Sequence, residues 1–166
     1  MLSRFRCARL LGRTGQSIVE IGLVTPFLLI ALYIPADFGI AYYTAHLTQN
    51  AVREAARIGV STKDPFNNTA ATAIANEALA RIPSRLNSVT VTVTYFFEPA
   101  PCMQNVLVTA QGSYSYFFYQ MLRLVGATVP NTATITRASQ MRYDFQPFTY
   151  SNPCTTPSSP VQVTRA

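Results

Sequence analysis

Gly15-Gln16-Ser17-Ile18-Val19-Glu20 opens directly into an apolar run, Ile21 to Ala36, and this join decides how the rest of the chain is organised. No charged residue lies between Glu20 and Asp37, and apolar character resumes through Phe38, Ile40, Ala41, Tyr42 and Tyr43. A bilayer core of roughly 30 Å takes about 20 such residues as a helix, so Ile18 to Tyr43 is long enough to span one. A secretory signal would put a shorter apolar stretch, about 7–15 residues, before a small-residue cleavage site. Here the small residue is Gly15, on the other side of the run, so the apolar segment is expected to survive processing.

Arg4, Arg6, Arg9 and Arg13 precede that glycine, with no acid among residues 1–15. Basic residues beside a span are retained in the cytoplasm, so the N-terminus is expected inside and the C-terminal part outside. The same partition accounts for most of the net charge of +6. Beyond residue 15 nine basic residues face seven acidic ones, and no clustered cationic face remains to neutralise phosphates. Nucleic-acid binding is therefore not expected. Of the three cysteines, Cys7 lies in the basic head, whereas Cys102 and Cys154 fall on the side where disulfides persist. With one histidine and no C-x-x-C spacing, neither a metal site nor a cofactor is expected.

Helical periodicity continues past Asp37. Ala45, Thr48, Ala51, Val52, Ala55, Ala56 and Gly59 recur at intervals of three and four, with Gln49, Asn50, Arg53, Glu54 and Arg57 on other faces. This stripe of small residues suits either close approach by another helix or cover by the protein's own sheet. Pro26 and Pro35 lie within the helix, where a kink or local unwinding is expected near each. Asp37 reads either as a residue at the outer membrane interface or as a buried contact between subunits.

Beyond the breaker cluster Ser61–Asn68, an alanine-rich helix runs to Ile82 and is stopped by Pro83. Val89, Val91, Val93 and Tyr95 then alternate with threonines, the period of a strand with one buried face. A second strand is expected over 105–115 and a third over 131–143, with a short apolar helix over 116–125 between them. The fold class is α+β: a long N-terminal transmembrane helix continuing into a small periplasmic domain with a three-stranded antiparallel sheet. The expected division is a basic leader over 1–15, the helix over 16–60, the α+β domain over 61–143 and an irregular Pro/Ser/Thr-rich tail over 144–166. The aromatic run from Tyr114 to Tyr119 reads as core packing or as an exposed contact or sugar-stacking surface. His46 has no catalytic partner in the sequence, and no phosphate loop or nucleophile elbow appears, so enzymatic activity is not expected.

The basic head ending in Gly15, Glu20 five positions beyond it, Ile21-Gly22-Leu23-Val24-Thr25-Pro26, and Ala51-Val52-Arg53-Glu54-Ala55-Ala56-Arg57 together resemble the TadE-like minor pilins, or pseudopilins, of the tight adherence (Tad, or Flp) pilus. The resemblance covers about residues 14–60 and reaches the sheet domain only in layout. It implies a type IV pilus component cleaved between Gly15 and Gln16 by a prepilin peptidase. Its partners would be major and other minor pilins, the assembly platform and inner-membrane lipid. Its place would be the bacterial inner membrane and, on incorporation, the extracellular pilus used in adhesion and biofilm formation. Glu20 is the residue expected to act in assembly, and Cys102 with Cys154 is expected to form a disulfide holding the tail. Two other readings stay open: an unprocessed, single-pass, membrane-anchored periplasmic scaffold or binding protein, and a secretion-system pseudopilin.

Overall fold

A computed structural model describes residues 11–62, 68–99, 102–124, 126, 128, 130–142 and 160–165. The elements run α1 (Leu11–Ser61), α2 (Asn68–Arg81), β1 (Leu86–Pro99), β2 (Cys102–Ser115), α3 (Phe117–Leu124), β3 (Thr132–Arg142) and β4 (Val161–Arg165). The chain divides into two compact units, Met1–Gly39 and Ile40–Ala166.

In the first unit α1 is long and apolar enough to cross a membrane. The helix passes through Pro26 and Pro35 without interruption, so the expected unwinding does not occur. Each proline removes one N–H donor from the helix. Beside Pro26, the Thr25 hydroxyl donates to the Ile21 carbonyl at 2.7 Å.

The second unit is an antiparallel sheet of four strands in the order β3-β2-β1-β4, not the three expected. The additional strand comes from the tail, where an irregular chain was expected. Val163 pairs with Val91 and Val161 with Val93, so two valines join the buried face among the prolines and serines that dominate the tail's composition. Val91 opposite Ala110, Val93 opposite Val108 and Tyr95 opposite Val106 form the centre of that face, all buried. Pairs of this kind set register, because a slip of one residue would carry every valine to the threonine face.

At its start β1 breaks its own alternation. Asn87 pairs with Ser113 and Thr90 with Gln111, so Ser88 and Val89 both stand against Gly112. This is a β-bulge, and Ser88 takes the left-handed conformation it requires, with φ of 49°. The extra residue lets Leu86 and Val89 both turn inward, leaving them 2% and 0% exposed. A Cβ on residue 112 would clash with Leu86 and approach Val89 Cγ2 to 3.1 Å, so glycine opposite the bulge leaves room for both side chains.

From Ile40 onward α1 packs on the valine face together with α2. The whole small-residue stripe, Ala45 to Gly59, is buried. A Cβ on Gly59 would stand 3.1 Å from Val106 and 3.7 Å from Ile74, so α1, α2 and β2 meet at this glycine. Of the two readings of the stripe, the structure supplies cover by the chain's own domain. Thr48 within it and Thr44 just before it satisfy their hydroxyls on the carbonyls of Thr44 and Ile40.

Candidate functional site

Leu11 to Glu20 is continuous helix, so Gly15 and Gln16 sit inside α1 and the Gln16 side chain lies on the same face as Glu20, one turn on. Gln16 Nε2 donates to Glu20 Oε1 at 3.4 Å, and both residues are exposed. Their surroundings are Ile18, Val19, Ile21, Leu23, Phe27 and Leu28, each exposed by more than 60%. An apolar helix surface of this extent is not left facing water and marks contact with lipid or with other apolar helices. Within that environment Glu20 is the first carboxylate, and the cost of leaving it unpaired is several kcal/mol in order of magnitude. The structure therefore places two of the three residues assigned to processing and assembly, Gln16 and Glu20, on one exposed face.

Asp37 is 5% exposed. The disulfide partner Cys154 lies outside the described residues, and Cys102 opens β2 opposite Pro99.

Sequence reasoning missed Arg165. Its Nη1 donates to the carbonyls of Leu79 and Ile82 at 3.1 and 3.4 Å, and its Nη2 to Pro83 at 3.1 Å. Leu79 lies in the last turn of α2 and Ile82 and Pro83 just beyond it, where a cation is favoured by the helix dipole; the Leu79 and Pro83 carbonyls also accept from the N–H groups of Ile82 and Leu86. Arg165 so ties β4 to the helix that covers β1. Nothing local in the sequence couples residue 165 to residues 79–83.

The aromatic run divides between the two readings given to it. Tyr114 is 4% exposed and belongs to the core, Tyr116 packs against it, and Phe117 is 63% exposed. Edge-to-face contacts run from Tyr114 to Tyr116, from Tyr116 to Tyr119 and from Tyr119 to Phe118, with centroids 5.3, 5.3 and 6.1 Å apart. On the opposite side of the sheet, Thr90, Thr92, Thr109, Gln111, Ser113 and Gln162 line a shallow depression of hydroxyls and amides. No ionisable side chain lines it.

Together these features define an α+β domain carried on a long apolar N-terminal helix whose first turns bear a glycine and an acid. Residues 15–57 match the family model for TadE-like proteins, so this segment is similar to that family. The match begins at Gly15, where the basic head ends, and stops at Arg57, the last residue of the alanine-rich motif. It covers about a quarter of the chain and leaves the sheet domain outside it. No curated protein and no solved structure matches the chain.

Proposed function

We propose that the protein is a minor pilin or pseudopilin of a Tad (Flp) pilus, inserted in the bacterial inner membrane and cleaved between Gly15 and Gln16 by a prepilin peptidase. The observation that carries this reading is the TadE-like match opening at Gly15, immediately ahead of an exposed apolar helix that bears Glu20. A peptidase acts on extended backbone, so α1 has to open at the cut. Glycine within a helix costs about 1 kcal/mol relative to alanine, which makes position 15 the place where the helix opens most readily.

Cleavage creates an α-ammonium at Gln16, one turn from Glu20 and beside the same apolar surface. Two charges at the lipid border each need a partner. When subunits pack side by side, Glu20 of one neutralises the amine of its neighbour, so docking in register removes both unpaired charges. The role is one of assembly with other pilins and the assembly platform, serving adhesion and biofilm formation, and not catalysis.

N-terminal mass determination on protein purified from membranes tests this. The mature chain should begin at Gln16, and Gly15→Val should accumulate as full-length precursor that does not enter pili. A wild-type chain still carrying the leader would favour the unprocessed scaffold, and normal cleavage of Gly15→Val would overturn the assigned site.

A further inference from the structure

The outer face of the sheet is as regular as the inner one and chemically its reverse. Register sets Gln162, Thr92 and Thr109 side by side across β4, β1 and β2, with Thr90 beside Gln111 in the next row. Alternation turns all of them away from Val91, Val93 and Val108, which are buried. Thr90, Thr92 and Thr109 are half-buried and form a floor. Gln111 and Gln162 are exposed and stand on opposite sides of Thr90 and Thr92, two strand spacings or roughly 10 Å apart across the sheet. At one end Ser88, the extra residue of the bulge, adds another hydroxyl. The hollow so formed has a volume of about 340 Å³, at the lower end of the range of about 300–1,000 Å³ for small-molecule sites.

The lining selects the ligand. No ionisable side chain belongs to it, so it offers no counter-charge to a phosphate, a carboxylate or an ammonium group. No large apolar or aromatic side chain belongs to it either, and a protein partner draws its affinity from such anchors at the centre of an interface. What remains is neutral hydrogen bonding. Each threonine brings a hydroxyl that donates once and accepts twice, and each glutamine brings two N–H donors and a carbonyl acceptor. Among the described residues no hydrogen bond within the protein engages these side chains, so their whole capacity faces outward. The threonine methyls put small apolar points beside the hydroxyls. A pyranose ring carries the matching pattern, hydroxyls around its edge and C–H groups across its faces.

We propose that this hollow is a binding subsite for a neutral saccharide: a sugar ring lies over Thr90, Thr92 and Thr109, its hydroxyls bonded to these threonines and to the Gln111 and Gln162 amides. The subsite belongs to the sheet domain alone and stands whether or not the chain enters a pilus. Neutral hydrogen bonds exchanged against water gain little each, so a dissociation constant on the order of 1 mM is expected.

Titration of the full chain in dodecylphosphocholine micelles, a detergent without a sugar headgroup, tests this. Maltotetraose, chitotetraose and mannotetraose are added in turn, with tetragalacturonate as the acidic control. Binding is followed in the amide NMR spectrum, where the side-chain NH2 groups of Gln111 and Gln162 report directly on the hollow. At least one neutral tetrasaccharide should shift both NH2 signals and the backbone amides of Thr90, Thr92 and Thr109 saturably, leaving α2 unmoved. Thr92→Val and Gln111→Leu keep the side-chain shape and remove the hydrogen-bonding group, and each should weaken that binding about three- to tenfold. No saturable shift with any of the three sugars, equal binding of tetragalacturonate, or unchanged affinity in both variants would overturn the subsite. Shifts confined to Phe117 and its neighbours would move the saccharide to the aromatic run and likewise overturn it.

Discussion

Glu20 and Tyr95 show how differently one polar group behaves in two apolar settings. Glu20 is exposed on an apolar helix and accepts a hydrogen bond from the amide of Gln16. If it neutralises a neighbour's amine, Glu20→Ala should be cleaved and inserted as wild type yet fail to co-purify with pilins, and Glu20→Asp should be partly competent. Full incorporation of the alanine variant would reduce Glu20 to a residue favoured only by the helix dipole. Tyr95 is buried at the centre of the valine face, and desolvation pushes its phenol up to about 12 from an ordinary value of 10. The folded state therefore keeps the proton after the unfolded chain has lost it. The stabilisation is complete below pH 10 and declines as pH rises toward 12, by up to roughly 2–3 kcal/mol. Chemical denaturation between pH 9 and 12 should show this loss, and Tyr95→Phe should flatten the slope relative to wild type.

Among the elements, β4 does most for its length. Five residues pair with Val89 to Val93 and end in Arg165, whose guanidinium closes the last turn of α2. Hydrogen bonds to a charged donor contribute about 1.5–3 kcal/mol each before relaxation, so Arg165→Ala should destabilise the domain by about 1–2 kcal/mol overall. Amide exchange should rise first in the last turn of α2 and in β4, with Arg165→Lys retaining part of the protection. Uniform exchange across the sheet in Arg165→Ala would show that the contact carries no local weight. The central strands were legible in the sequence because Val89, Val91, Val93 and Tyr95 keep strict alternation. The entry of β1 at Leu86 was not, because the bulge at Ser88 reverses parity and makes Leu86 look outward. Val161 and Val163 carry the same period-two signal as β1, but two valines among prolines and serines are too few to outweigh composition. The aromatic run was legible as apolar only. Which rings are buried depends on the change from strand to helix between Ser115 and Phe117.

At the scale of the whole molecule, α1 presents two chemistries in succession. From Ile18 to Tyr33 its exposed surface is almost entirely apolar, whereas from Ile40 on the small-residue stripe is consumed by the protein's own sheet and α2. The sequence showed that stripe but not its partner, since spacing alone is the same whether a neighbour or the chain itself supplies the cover. The helix face left open in the outer half carries Asn50 and Arg53, with Arg57 paired to Glu54. A neighbouring subunit that meets α1 there meets hydrated charge, and one that meets it lower down meets hydrocarbon. Counterions screen the first kind of contact over about 8–10 Å and leave the second nearly untouched. Ionic strength thus separates the two: salt loosens whatever grips the outer half of the helix, while the association of the inner half persists.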